Sequence, residues 1–225
     1  MQSFPPVLTR EESSWGLRYL LFQLAFLPSI LSMLLPLKSS AHLNTLYFTV
    51  NFLAVLLIFR KFLLDTLRSL PKTAGKILLW GLCGCLAYQM LTQITTVLTL
   101  KLMPGFFNVN DAHIAASAQS FFLPMAVGIV LFAPVAEELF FRALIMDLCS
   151  RRSELLAYTV SILVFCAIHV SSYVGIYPWS LLGLCFLQYL PAGLVLTVAY
   201  RQSGSILCPI AIHMAVNFVG VLSMR

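Results

Sequence analysis

The sequence predicts an all-α membrane protein, a bundle of about seven to eight transmembrane helices. Hydrophobic residues make up 60% of the 225-residue chain and charged residues only 10%, whereas about 25% of the residues in soluble domains are charged. The mean hydropathy is +0.93. A spanning helix needs about 20 residues, so the length allows roughly seven to eight spans and no large soluble domain. These values exclude a soluble globular domain, a disordered chain and a disulfide scaffold.

Seven apolar runs define the predicted spans. They cover approximately residues 15–36, 43–62, 77–100, 121–149, 155–170, 176–200 and 205–223. The fourth run is too long for one perpendicular helix. We expect a kink in it at Pro134, because proline cannot donate the helical hydrogen bond. The first run is longer than the apolar part of a cleavable signal peptide.

The basic residues predict the orientation of the chain. If the spans alternate, ten of the 14 Lys and Arg residues lie on one side, while Lys38, Lys101 and Arg225 lie on the other. Cytoplasmic connections are rich in Lys and Arg, so we expect a cytoplasmic N-terminus and an external C-terminus. The long connection at 102–120 is then external and a candidate mobile element. Because these charges flank apolar runs, they indicate lipid bilayer contact and no nucleic-acid partner.

Charged residues inside the fourth run are the first indication of function. Glu137, Glu138 and Arg142 lie within LFAPVAEELFFRALIMDL, and each charge within a membrane helix is costly enough to need a partner or a function. Glu138 and Arg142 are four residues apart with the acid first, which favours an ion pair on one helix face. Glu137 points about 100° away and has no local partner. We therefore expect a structural ion pair and one free carboxylate.

Two histidines and an asparagine complete a polar set inside the spans. His169 ends FCAIH, and His213 begins HMAVN, in which Asn217 lies four residues later on the same helix face. At 1.5 Å per residue, Glu138, His169 and His213 lie roughly 20, 26 and 18 Å from the basic side, counted from Arg151, Arg152 and Arg201. The three helices therefore bring these groups to a similar depth, at or beyond the bilayer midplane.

This residue set is suited to hydrolysis of an acyl bond. A carboxylate and an imidazole can deprotonate a water molecule, and a second His with an Asn can stabilise an oxyanion. Glu137, His169 and His213 could alternatively bind zinc with an open position for water. A metal-free mechanism is slightly favoured, because asparagine is more suitable as a hydrogen-bond donor than as a zinc ligand.

The motifs EELFFR, FCAIH and HMAVN, in this order, resemble the signature of the CPBP family of intramembrane proteases. This family includes the CAAX proteases and the bacteriocin-processing (ABI) proteins, and its pattern is Glu-Glu-x3-Arg, Phe-x3-His and His-x3-Asn/Asp. The resemblance implies a metalloprotease-like intramembrane endopeptidase with its catalytic core in the last four helices. It implies that Glu137 and His169 activate water, with Glu138 beside them. It also implies that His213 and Asn217 stabilise the oxyanion.

The extent of this resemblance predicts how the chain is divided into two parts and which class of substrate it cleaves. Residues 1–120 form about three N-terminal transmembrane helices without a recognised motif, and residues 121–225 form the protease core. The short connections look bacterial, which suggests a bacterial cytoplasmic membrane and a peptide or membrane-protein substrate other than a eukaryotic prenylated protein. Two alternatives are a non-catalytic membrane partner or regulator with the same fold, and a small transporter. The absence of an internal repeat disfavours the transporter.

Overall fold

The computed structural model describes residues 7–35 and 39–224, and the regular structure within these ranges is helical. One isolated β-bridge joins Val174 and Tyr177. Two of the basic residues counted for the orientation, Lys38 and Arg225, lie outside the described residues. The all-α class predicted from composition is therefore confirmed.

The helices of the described residues differ widely in length. In chain order they are α1 (Arg10–Ala25), α2 (Leu27–Leu34), α3 (Ser40–Ile58), α4 (Arg60–Leu102), α5 (Val109–Ser120), α6 (residues 122–150), α7 (Glu154–Ser171), α8 (Trp179–Ser203) and α9 (Leu207–Leu222). Within α6, two π-helical segments, Gly128–Phe132 and Leu139–Ile145, interrupt the α-helical geometry. π-Helical turns inside α-helices occur frequently at functional sites.

Several of these helices can cross a membrane. In the described residues, α3, α4, α7 and α8 are long and apolar enough to do so, and α1 and α2, bent by 54° relative to each other, would together make a fifth. The helices α6 and α9, which carry predicted site residues, are not among these candidate spans. Two π segments divide α6, and α9 has only 16 residues. The chain is thus a helical membrane protein, while the number of seven to eight spans stays a prediction.

Two predicted connections are helical in the structure. The basic segment 60–76 belongs to α4, a continuous helix of 43 residues. Such a helix is about 65 Å long, roughly twice the thickness of the hydrocarbon core. The predicted connection between the apolar runs 43–62 and 77–100 is therefore itself helical, because the helix continues through Pro71 and the charged residues instead of ending at the apolar boundary. The other connection, 102–120, contains α5.

One hydrophobic core includes residues from both predicted parts of the chain. Phe59 and Phe62, at the junction of α3 and α4, are buried in the same cluster as Leu139 and Leu144 of α6 and Phe165 of α7. Helices from the N-terminal half therefore pack directly against the helices that carry the motifs. The boundary between residues 120 and 121 stays a prediction.

The first π segment of α6 accommodates Pro134 and brings α3 close. The backbone N–H of Ala133 donates to the carbonyl of Gly128, five residues earlier, so the turn before the proline is wide. A Cβ atom at Gly128 would lie 2.6 Å from Cδ2 of Phe48 on α3. Glycine is thus needed for this close approach, which brings the polar side chains of α3 towards the predicted site.

Candidate active site

A buried charge cluster joins α6 to α9. Arg142 and Glu138 are both fully buried, and Arg142 Nη1 donates to Glu138 Oε1 at 3.0 Å. The guanidinium carbon also lies 4.4 Å from the ring centroid of Phe165, a cation–π contact. The same Glu138 oxygen accepts a hydrogen bond from Nδ1 of His213 at 2.8 Å. This carboxylate therefore has two basic partners, and the bond to His213 was not predicted from the sequence.

Glu137 faces two imidazoles on different helices. Its Oε2 atom lies 3.8 Å from Nε2 of His169 and 3.9 Å from Nε2 of His213. This oxygen is buried and has no hydrogen-bond partner among the described residues. A buried carboxylate oxygen normally has a partner. One water molecule located between these three atoms could hydrogen-bond to the carboxylate and to an imidazole at the same time.

The Nδ1 contacts determine what each imidazole presents to Glu137. His169 Nδ1 lies 2.8 Å from the carbonyl oxygen of Phe165, which can only accept, so Nδ1 carries the proton. Neutral His169 therefore presents an unprotonated Nε2 towards Glu137. His213 Nδ1 donates to Glu138 in the same way. Its Nε2 is a hydrogen-bond donor only when the imidazole is protonated.

Asn217 binds the backbone next to Pro134. In the π-helical register of α6, the backbone partner of the Ile129 carbonyl would be the N–H of residue 134, which proline lacks. Asn217 Nδ2 donates to this carbonyl at 2.9 Å. An amide nitrogen carries two hydrogens, so one remains for another acceptor. The asparagine thus holds α9 against α6 and keeps a free donor in the cavity wall.

These residues line one side of a cavity of about 710 Å³. Ligand-binding pockets typically measure about 300–1,000 Å³. The N-terminal helices form much of the remaining wall. Their polar lining residues include Gln23, Asn44, Tyr47, Asn51, Asn108, Asn110, Asp111 and His113. The cavity therefore depends on both halves of the chain.

A polar group at the start of α5 faces His169 across the cavity wall. Tyr189 of α8 donates to Asp111 Oδ1 at 2.7 Å, and its ring stacks on His169 with the centroids 4.3 Å apart. Burial raises the pKa of the Asp111 carboxyl above its usual value, and the hydrogen bond from Tyr189 opposes that rise. Neither residue belongs to a recognised motif. The sequence places Asp111 only in the 102–120 connection, and Tyr189 was missed.

The ends of α7 and α8 indicate at which end of the bundle the cavity lies. Arg201, near the end of α8, forms an ion pair with Glu154 at the start of α7. His169 lies in the last turn of α7, at the other end of that helix. The site and the start of α5 are thus nearer the end of the bundle opposite Arg201.

The three candidate zinc ligands are Glu137, His169 and His213. Among the residues that the structure describes, no group of three or more His, Cys, Asp or Glu side chains is arranged to hold a metal ion. Glu137, His169 and His213 thus do not form a preformed site of the kind that zinc occupies. Zinc binding stays a prediction for a chelator to test.

The helices that carry the three motifs match a known protein family. Residues 119–219 match the family described as type II CAAX prenyl endopeptidase Rce1-like. The resemblance based on the three motifs is thereby confirmed at the level of the family, which is a family of proteases. No curated protein matches the chain, and no solved structure matches it.

The matched region, residues 119–219, contains all six predicted site residues. Glu137, Glu138 and Arg142 lie on α6, His169 on α7, and His213 and Asn217 on α9. The structure brings Glu137, Glu138 and the two histidines together. Asn217 lines the same cavity. The individual roles of these residues stay predictions.

Proposed function

We propose that this protein is an intramembrane endopeptidase in which Glu137 and His169 activate a water molecule. The observation that carries this proposal is the position of Glu137 Oε2, which is buried, lacks a partner among the described residues and lies 3.8 and 3.9 Å from two imidazole nitrogens. It faces a cavity large enough for a short peptide segment. The match to a family of CAAX-type endopeptidases supports the same reaction class.

Water activation uses the two acceptors that face each other. One water O–H donates to Glu137 Oε2 and the other to the unprotonated Nε2 of His169. As the water oxygen attacks the peptide carbonyl, Glu137 accepts its proton and later transfers it to the leaving amine. His169 orients the nucleophile, and its hydrogen bond to the Phe165 carbonyl fixes the required tautomer.

His213 and Asn217 supply the donors for the tetrahedral oxyanion. Asn217 donates the second hydrogen of its amide, because the first is hydrogen-bonded to the Ile129 carbonyl. His213 donates through Nε2 when it is protonated, and Glu138 stabilises the imidazolium through Nδ1. Glu137, Glu138 and Arg142 together carry one net negative charge, so protonation of His213 makes the buried cluster neutral. Preorganised donors of this kind typically contribute about 10²–10³ in rate each.

The substrate is a peptide or a membrane-protein segment that reaches the site within the bilayer. Uncharged polar side chains of α1, α3 and α5 can bind its backbone amides and carbonyls. Ten basic residues on one side favour a cytoplasmic N-terminus and an external C-terminus. With that orientation, the cavity lies nearer the external side. A bacterial cytoplasmic membrane is the location that we propose.

A cleavage assay with the purified full-length protein tests this function. Wild type and Glu137→Gln, both reconstituted in liposomes, are incubated with a library of membrane-associated peptides, some with lipidated C-terminal tails, and products are identified by mass spectrometry. We expect peptide-bond cleavage by wild type alone. A parallel incubation with a chelator tests the zinc alternative. Binding of peptides without cleavage by wild type would contradict the proposal and favour a non-catalytic membrane partner.

A further inference from the structure

Tyr189 packs against the imidazole that we propose as the orienting base. The ring centroids of Tyr189 and His169 are 4.3 Å apart at an interplanar angle of 30°. His169 also contacts the ring of Phe165, at 4.6 Å and 50°. The bond from His169 Nδ1 to the Phe165 carbonyl restrains one edge of the ring. The tyrosine supplies a flat surface against which the plane of the ring is fixed.

The hydroxyl of Tyr189 is held by the first turn of α5. It donates its single hydrogen to Asp111 Oδ1 at 2.7 Å and accepts from Asn110 Nδ2 at 2.9 Å. A hydroxyl bond to a carboxylate is stronger than one between neutral groups. The α5 turn is itself fixed, because Asn108 accepts hydrogen bonds from the backbone N–H groups of Asn110 and Asp111. Tyr189 is therefore anchored at its hydroxyl and stacked at its ring.

We infer that Tyr189 is a positioning residue, which holds the His169 ring with Nε2 towards Glu137, and that Asp111 fixes Tyr189 for this purpose. The inference rests on the proposed function, in which His169 orients the nucleophile. It gives the N-terminal part of the chain a role in the reaction, because α5 lies outside the three motifs. We assign neither Tyr189 nor Asp111 a contact with the reacting atoms.

Kinetics distinguish positioning from substrate binding. Loss of the ring in Tyr189→Leu lets the imidazole rotate, and a misplacement of about 1 Å can lower a rate about 10²-fold. We expect that decrease in kcat with little change in KM. Tyr189→Phe keeps the stacked ring and loses only the anchor, so its decrease is smaller. Asp111→Ala should resemble Tyr189→Phe, and the double variant should be no worse than either, because each change removes the same hydrogen bond. Additive losses would contradict the link.

Chemical labelling of histidines tests the same arrangement without activity. The full-length protein in detergent is treated with diethyl pyrocarbonate, and modification of each histidine is followed by mass spectrometry. In Tyr189→Leu we expect His169 to react several-fold faster than in wild type, with His213 unchanged. Tyr158→Leu, the same substitution on α7 outside the cavity lining, should alter neither rate.

The two measurements separate this inference from the proposed function. Cleavage by wild type that is abolished in Glu137→Gln but unchanged in Tyr189→Leu, with unchanged labelling of His169, would overturn the positioning role alone. Faster labelling of His169 and His213 together would also overturn it, since it would indicate general loosening of the helices. If wild type cleaves no peptide, the proposed function fails, and selective labelling of His169 in Tyr189→Leu still decides whether Tyr189 holds the ring.

Discussion

His213 and Glu138 form a hydrogen bond of 2.8 Å between α9 and α6, inside the bundle. This bond connects the proposed oxyanion donor to the buried pair Glu138–Arg142. The ion pair therefore does more than neutralise its own charges, because it also orients the imidazole of His213. A substitution at Arg142 should therefore alter the orientation of His213 in the cavity wall, even though Arg142 itself is fully buried.

Glu137→Gln should abolish peptide-bond cleavage and leave the fold intact. Glutamine keeps the shape of the side chain but cannot accept the proton of the attacking water. His169→Ala should be nearly as severe, because the water loses its second acceptor. Turnover is measured on the peptide identified with wild type, and thermal unfolding in detergent reports the fold. Comparable turnover by wild type and Glu137→Gln would rule out the proposed base.

Arg142→Ala should destabilise the protein as well as inactivate it. The variant leaves the Glu138 carboxylate buried without its guanidinium partner, and breaking a buried pair in this way typically costs about 3–5 kcal/mol. The measurement is the thermal unfolding midpoint in detergent, together with cleavage activity.

Arg151→Ala is the matched control for this change. Arg151 and Asp147 form another pair with (i, i+4) spacing on α6, 2.7 Å apart, but the Arg151 side chain is 53% exposed. Exposed pairs contribute about 0–1 kcal/mol, so this variant should unfold near the wild-type midpoint and keep its activity. Equal midpoints for the two variants would show that the Glu138–Arg142 pair does not stabilise the bundle.

Asn217→Ala should impair both the reaction and the packing of α9 against α6. The variant removes one oxyanion donor, which typically lowers the rate about 10²–10³-fold. It also leaves the Ile129 carbonyl without its donor, and an unsatisfied buried acceptor costs about 1–3 kcal/mol. Glu137→Gln should lose activity without this loss of stability. An Asn217→Ala protein as stable as Glu137→Gln would contradict the contact with Ile129.

The features of the site that could be predicted depend on the spacing of residues along a single helix. Glu138 and Arg142 are four residues apart on one helix, so their proximity follows from helix geometry alone. The shared depth of Glu138, His169 and His213 similarly follows from counting residues along each helix. The all-α class followed from composition.

The contacts that could not be predicted join distant parts of the chain. Asp111 and Tyr189 are 78 residues apart, and no periodic pattern in either helix indicates that they meet. The Asn217–Ile129 bond depends on a π-helical turn, for which the sequence offers only Pro134. The helical continuation through residues 60–76 could not be predicted, because charged residues and a proline are also typical of a connection between two spans.

Accessibility from the two sides of the membrane tests the proposed orientation. In a background without the six native cysteines, Gln119→Cys on α5 and Ser153→Cys between α6 and α7 should react with a membrane-impermeant maleimide from opposite sides. Ser117, which lies in the same predicted external connection as Gln119, is not used for labelling, because it is buried and contacts Ser40. Gln119 and Ser153 are exposed. The basic residues place Ser153 in the cytoplasm, so intact cells should label Gln119→Cys, and inverted vesicles should label Ser153→Cys. Labelling of both positions from one side would overturn the alternating arrangement of spans, and a reversed pattern would place the cavity nearer the cytoplasm.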